Sequence, residues 1–212
     1  MPVTGRISVL AGTNGAGKSS IAGQVVRDGG GQYFNPDEVA RRILELSPTL
    51  LQTEANALAW REGVEQLRAA IQSGQDYTFE TTLGGNTIVQ LLEEAAGSGL
   101  EVRVWYAGLS SPELHIRRVA ARVRKGGHDI PKADIRRRYA KSQINLIHLM
   151  PRLTALMVFD NSVQADPAKG RTPEPVLVLH MEHGKIMGPR DLKATPEWAK
   201  AIVAAALKLA RS

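Results

Sequence analysis

The chain has 212 residues, 43% of them hydrophobic, a net charge of +6 and no cysteine. That length supports a single domain with an ordinary core, and the lack of cysteine excludes disulfides and thiolate metal sites. No apolar run approaches the roughly 18–20 residues of a membrane span, and the opening MPVTGR lacks the pattern of a signal peptide, so no membrane partner and a cytoplasmic location are expected.

Residues 6–11, RISVLA, make an apolar run with β-branched residues that feeds into Gly12-Thr13-Asn14-Gly15-Ala16-Gly17-Lys18-Ser19, followed by Ser20. This fits G-x-x-x-x-G-K-S/T without a mismatch, the P-loop pattern. The glycines let several backbone N–H groups turn inward on a phosphate chain, and a helix opened by Lys18 puts its positive end there. The Lys18 ammonium reaches the β and γ groups, and the Ser19 hydroxyl is the expected Mg²⁺ ligand. ATP and Mg²⁺ are the implied cofactors.

After a helix over about 18–26 and a Gly-rich turn at 29–31, residues 32–34 read as a short second strand. Asn35 then caps a helix to about residue 46, with Pro36 in its first turn beside Asp37 and Glu38. Asp37 sits where a parallel sheet collects its ligands. A long helix is expected over 54–73, its apolar face set by Ala57, Leu58, Val64, Leu67 and Ile71. Residues 77–82 read as a third strand ending in Glu80, Thr81 and Thr82, followed by a helix to about 97 and a fourth strand over 101–107. This alternation predicts an α/β fold, a three-layer α/β/α P-loop sheet that is mainly parallel.

Pro112 opens a helix to about Arg124, Gly126-Gly127-His128-Asp129-Ile130-Pro131 interrupts it, and a second helix runs over 132–149. From His115 to Lys141 seven arginines and three lysines stand against two aspartates, a local +8 that leaves −2 elsewhere. Such a cluster marks a partner with concentrated negative charge, nucleic acid or polyphosphate. Arginines on helices around a double glycine at about 112–141 read as a lid. Residues 154–159 complete five strands, ending in Asp160-Asn161-Ser162. A loop over 163–175, a hairpin over 176–187 and a helix over 196–210 close the chain, which reads as one kinase-like domain over 1–212.

No N/T-K-x-D base-reading motif and no LSGGQ-like signature is present, which argues against a G-protein and a transporter ATPase. Small-molecule kinases need a P-loop, a carboxylate near the acceptor hydroxyl and arginines that close over the phosphates. Asp37 fits the general base, and Glu80, in a polar cluster with Thr81 and Thr82, fits either an acceptor hydroxyl site or a carboxylate that orients Mg²⁺ through water. His128 belongs to the lid turn, as closing or capping residue. His148, His180 and His183 read as structural or exposed, and Trp60, Trp105 and Trp198 as core or interface. Aromatics at 5% without a stacking pattern argue against a single-stranded nucleic-acid surface, although a nucleic-acid-associated ATPase using 115–141 stays the alternative.

The ordered set GTNGAGKS, NPDEVAR, FETTL, RVAARVRKGGHDIP and IRRRY resembles the zeta-toxin kinase family over about residues 5–162, in particular the stand-alone bacterial branch often labelled as predicted ABC-type ATPases. The resemblance implies transfer of the ATP γ-phosphate to the 3′-hydroxyl of UDP-N-acetylglucosamine or a related UDP-sugar. It implies that Lys18 and Ser19 hold phosphates and metal, that Asp37 is the catalytic base, and that Glu80 with Thr82 faces the sugar. It also implies lid arginines on the γ-phosphate, Arg122, Arg124 and Arg138 being the best placed, and an antitoxin protein as partner. Residues 176–212 carry no assignable chemistry.

Overall fold

The computed structural model describes residues 5–21, 23, 33–163 and 174–211. The Gly29–Gly31 turn and most of the loop over 163–175 therefore lie outside the described residues. So does most of the expected helix after the P-loop, of which residues 19–21 and 23 are helical.

Strands β1 (Arg6–Ala11), β2 (Tyr33–Phe34), β3 (Tyr77–Thr81), β4 (Glu101–Gly108) and β5 (Ala155–Asp160) pair in parallel in the order β2-β3-β1-β4-β5. The hairpin β6 (Val176–Glu182) and β7 (Lys185–Gly188) continues the same sheet, β6 lying antiparallel on β5. Among the described residues the sheet thus has seven strands, five of them the parallel set that the alternation predicted. The turn of the hairpin is made by His183 and Gly184, both at positive φ, the geometry that matches strand twist in a tight hairpin.

Central β1 is buried on both faces, which is why its sequence is an apolar run rather than an alternation. Ile7, Val9 and Ala11 join the larger core, while Leu10 faces a second one with Ala16, Ile21, Trp105, Ala107 and Phe159. The larger core is closed by α2 (Gln52–Ser73), α3 (Asn86–Gly97), α5 (Lys132–Leu149) and α6 (Lys200–Leu209). Two further helices, α1 (Pro36–Leu46) and α4 (Pro112–Val123), flank the carboxyl ends of the strands.

Helix α2 starts two residues before its expected start at residue 54, because Glu54 reaches back to the Leu51 N–H at 2.8 Å. Its apolar face also differs from the expected one. Ala57 and Leu58 are exposed, and the buried positions in that half are Ala55 and Ala59, which meet Ala40 of α1. Small side chains let the two helices approach closely, and Leu58 lies outside that seam.

Candidate functional site

The P-loop joins β1 to its helix in the middle of the parallel set. At Gly17, φ is +76° and a Cβ would collide with the Asn161 amide, so the sequence has glycine there for both shape and space. Three elements hold the loop from outside. His115 of α4 donates from Nδ1 to the Asn14 carbonyl oxygen at 2.9 Å, Arg138 of α5 donates to Asn14 Oδ1 at 2.8 Å, and Asn161 after β5 donates from Nδ2 to the Ala16 carbonyl oxygen at 2.8 Å. His115 is 1% exposed and burial pushes its pKa down to about 4, so the ring is neutral at ordinary pH and Nδ1 carries the proton. Arg118 in turn donates to the Asn161 carbonyl oxygen at 2.7 Å.

Lys18 is buried, donates to the Gly12 carbonyl oxygen at 2.8 Å and stands 3.3 Å from Glu80 Oε1. Glu80 also accepts from the Tyr33 hydroxyl at 2.8 Å. Burial first, and then the Glu80 charge, raises the Tyr33 hydroxyl well above its usual range, which keeps it a donor. Thr13 is buried with no partner for its hydroxyl among the described residues, whereas Ser19 and Ser20 are exposed at the start of the helix.

Asp37 lies in the first turn of α1, its N–H held by the Asn35 side chain at 2.9 Å. Its carboxylate faces Arg122 Nη1 at 3.5 Å and His128 Nε2 at 3.9 Å. Arg122 also donates to the His128 carbonyl oxygen at 3.4 Å, which ties the end of α4 to the lid turn.

A cavity of about 700 Å³ takes in Asn14, Lys18, Asp37, Glu80, Thr81, Thr82, His128 and Arg138, so the structure brings together the residues expected for phosphate, base and acceptor. Beyond Thr81 the chain turns at Leu83, φ +53°, a strained angle for a buried leucine, held by the Thr81 hydroxyl on its N–H and by Asn145 on its carbonyl. Gly84 follows and leaves room for the Arg138 side chain, whose Cγ lies 3.0 Å from where a Cβ would stand. Arg124 is exposed at the end of α4 and does not line the cavity.

Sequence reasoning missed His115, Asn161 and Tyr33, because their partners lie far away in the chain. Trp60, expected in a core or an interface, is 48% exposed and lines the cavity, whereas Trp105 and Trp198 are buried. The latter donates from Nε1 to Asp160 Oδ1 at 3.1 Å. His148 pairs with Glu93 and His180 with Glu182 on the surface. Among the described residues, no group of three His, Cys, Asp or Glu has metal-binding geometry, and no helix is long and apolar enough to cross a membrane.

A family described as AAA domain, AAA_33, matches residues 7–143, the stretch from β1 into α5 that carries the P-loop, Asp37, Glu80 and the lid. The chain belongs to that family. This AAA_33 chain is 32% identical over 128 residues, 60% of its own length and 88% of the other's, to an uncharacterized protein of Haemophilus influenzae. Its fold is shared with the AvrRxo1-ORF1:-ORF2 complex crystallised with ATP, at TM-score 0.64 and 17% identity over 97% of this chain. The chain spans 64% of that larger one. It also matches the PezAT toxin–antitoxin system of Streptococcus pneumoniae at TM-score 0.57 and 13% identity, covering 100% of this chain and 90% of the other. The AAA_33 chain therefore has a P-loop kinase-like fold.

Proposed function

We propose that the protein is a single kinase-like domain that transfers the γ-phosphate of ATP to an alcohol hydroxyl. The observation that carries this reading is that one cavity holds the P-loop lysine, Lys18, together with a carboxylate, Asp37, and a lid arginine, Arg138. The P-loop N–H groups and Lys18 receive the triphosphate, and Asp37 accepts the proton of the acceptor hydroxyl. The acceptor oxygen bonds to γ-phosphorus as the bridge to the β-phosphate breaks, and ADP leaves with that electron pair. Arg122 and Arg138 offset charge on the transferring group, and lid closure keeps water out. Arg124, exposed and outside the cavity, fits a contact made only in a closed lid.

The hard oxygen donors near Lys18, the exposed Ser19 hydroxyl and the Glu80 carboxylate, suit Mg²⁺, which Ser19 would hold. When bound, the ion neutralises charge on the β and γ oxygens. The zeta-toxin resemblance supports a sugar hydroxyl of UDP-N-acetylglucosamine as acceptor, with Glu80, Thr81 and Thr82 beside it. The toxin–antitoxin system among the fold neighbours supports an inhibitory partner protein, and use of ATP supports action in the cytoplasm.

The test is ³¹P NMR of the protein with ATP, Mg²⁺ and UDP-N-acetylglucosamine. A new phosphomonoester resonance is expected. Asp37→Asn should lower its rate at least about 100-fold while ATP affinity stays within a few fold. Release of inorganic phosphate alone, equal with and without UDP-N-acetylglucosamine, would refute that acceptor, and the same result across a panel of sugar and nucleoside alcohols would refute the transfer itself.

A further inference from the structure

One wall of the cavity has no charged group and no role in moving phosphate. Gln52, Asn56 and Trp60 follow each other at four-residue spacing on α2, so they share one face of the helix, and all three line the cavity with Thr53 and Ala57. Gln52 donates from Nε2 to Asn56 Oδ1 at 2.9 Å, which orients both amides and leaves each with bonding capacity to spare. Trp60 stands half-exposed at the end of this row. An indole left in water forgoes the stabilisation that covering its surface would bring.

Charge is concentrated elsewhere and is already matched. Lys18 meets Glu80 at 3.3 Å, Arg122 meets Asp37 at 3.5 Å, Arg137 meets Asp134 at 3.0 Å, and Arg138 bonds Asn14. An anionic group gains nothing at the α2 wall, where amides, hydroxyls and an aromatic face are what the chain offers.

We propose that the α2 wall is a subsite for an uncharged ring of the acceptor. Trp60 covers the flat face of that ring, and the Gln52 and Asn56 amides bond its polar edge. The ring class is a nucleobase or a pyranose, which share a flat apolar face and a rim of donors and acceptors. That the ring belongs to a phosphate acceptor rests on the kinase reading; that the wall binds such a ring does not.

Saturation-transfer NMR tests the wall directly, with uridine, N-acetylglucosamine and inorganic phosphate as separate probes. Uridine or N-acetylglucosamine should bind the wild-type protein, and which of them binds decides between base and sugar. Binding should be lost in Trp60→Ala, kept in Trp60→Phe and weakened in Gln52→Ala/Asn56→Ala, while ³¹P broadening of inorganic phosphate is the same in all. With UDP-N-acetylglucosamine as substrate, Trp60→Ala should raise the acceptor KM roughly 5- to 150-fold, leave the KM for ATP within about twofold, and be rescued by Trp60→Phe. Failure of both rings to bind, or binding that survives Trp60→Ala, overturns the proposal and leaves the kinase reading intact. Ring binding without phosphorylation of any acceptor overturns the kinase reading instead.

Discussion

Asn161 bonds a P-loop carbonyl across 145 positions of sequence, and the bond is buried. Removing it in Asn161→Ala leaves the Ala16 carbonyl without its donor, a cost of about 1–3 kcal/mol for a buried acceptor. Urea unfolding should show that loss, and ATP affinity should fall several-fold because the loop is no longer held open for phosphate. His115 gives a pH signature. Its pKa is about 4 in the folded protein against 6.5 in an unfolded chain, so above pH 6.5 neither state binds the proton. Between those values the unfolded chain takes a proton that the folded one refuses, and stability falls with pH by about 1.4 kcal/mol per unit from this group. Comparing pH 7 with pH 5, the unfolding free energy of His115→Asn should drop about 2 kcal/mol less than that of the wild type. At this scale the sequence showed what is local. The P-loop, the Asn35-Pro36-Asp37 turn and the Glu80 strand end carry their signals in adjacent residues. The partners of Asn161 and His115 are brought near by the sheet alone, and nothing beside Trp60 in the chain separates it from buried Trp105.

Among the elements, the C-terminal segment had no reading beyond a hairpin and a helix, and its contacts supply one. Trp198, at the 3-10 turn Glu197–Ala199 before α6, lies against Gly108 at the end of β4 and bonds Asp160 at the end of β5. A Cβ at Gly108 would run into the indole. Gly108→Ala should therefore destabilise by about 1–3 kcal/mol in thermal melts. Adding Trp198→Ala should cost less than the two single changes summed, since the collision is then gone. The segment thus braces the two strand ends from which Asn161 and α4 depart. Strand and helix order was legible because periodicity and caps are properties of short stretches. The face of α2 was not, since Ala55 and Ala59 are buried only by the close approach of α1.

For the whole molecule, half of the ten cations behind the local +8 already have partners within the protein. Arg118 bonds the Asn161 and Val163 carbonyls, Arg122 meets Asp37, Arg136 meets Glu113, Arg137 meets Asp134 and Arg138 bonds Asn14. Arg117, Arg124, Lys125 and Lys132 are exposed in the same stretch, as are Arg136 and Arg137 in their surface ion pairs. The four of these outside ion pairs grip few phosphates, so any binding of duplex DNA should have a log-log salt slope no steeper than about −4. Neither DNA nor RNA should stimulate ATP consumption. A slope near −8 would restore the nucleic-acid reading. Charge count along the chain could not separate these cases, because it does not say which guanidinium faces the protein.

The outside holds on the P-loop join residues 101, 124 and 145 positions apart. Contacts this distant close late, since the loop-closure entropy must be met before they form. The cradle for phosphate is thus among the last parts of the molecule to be assembled, although its motif is made before any of the three residues that hold it from outside. In stopped-flow refolding, recovery of far-UV dichroism should precede recovery of fluorescent ATP-analogue binding, and Asn161→Ala should lengthen that delay. A nascent chain that ends before residue 161 has the motif and not the site.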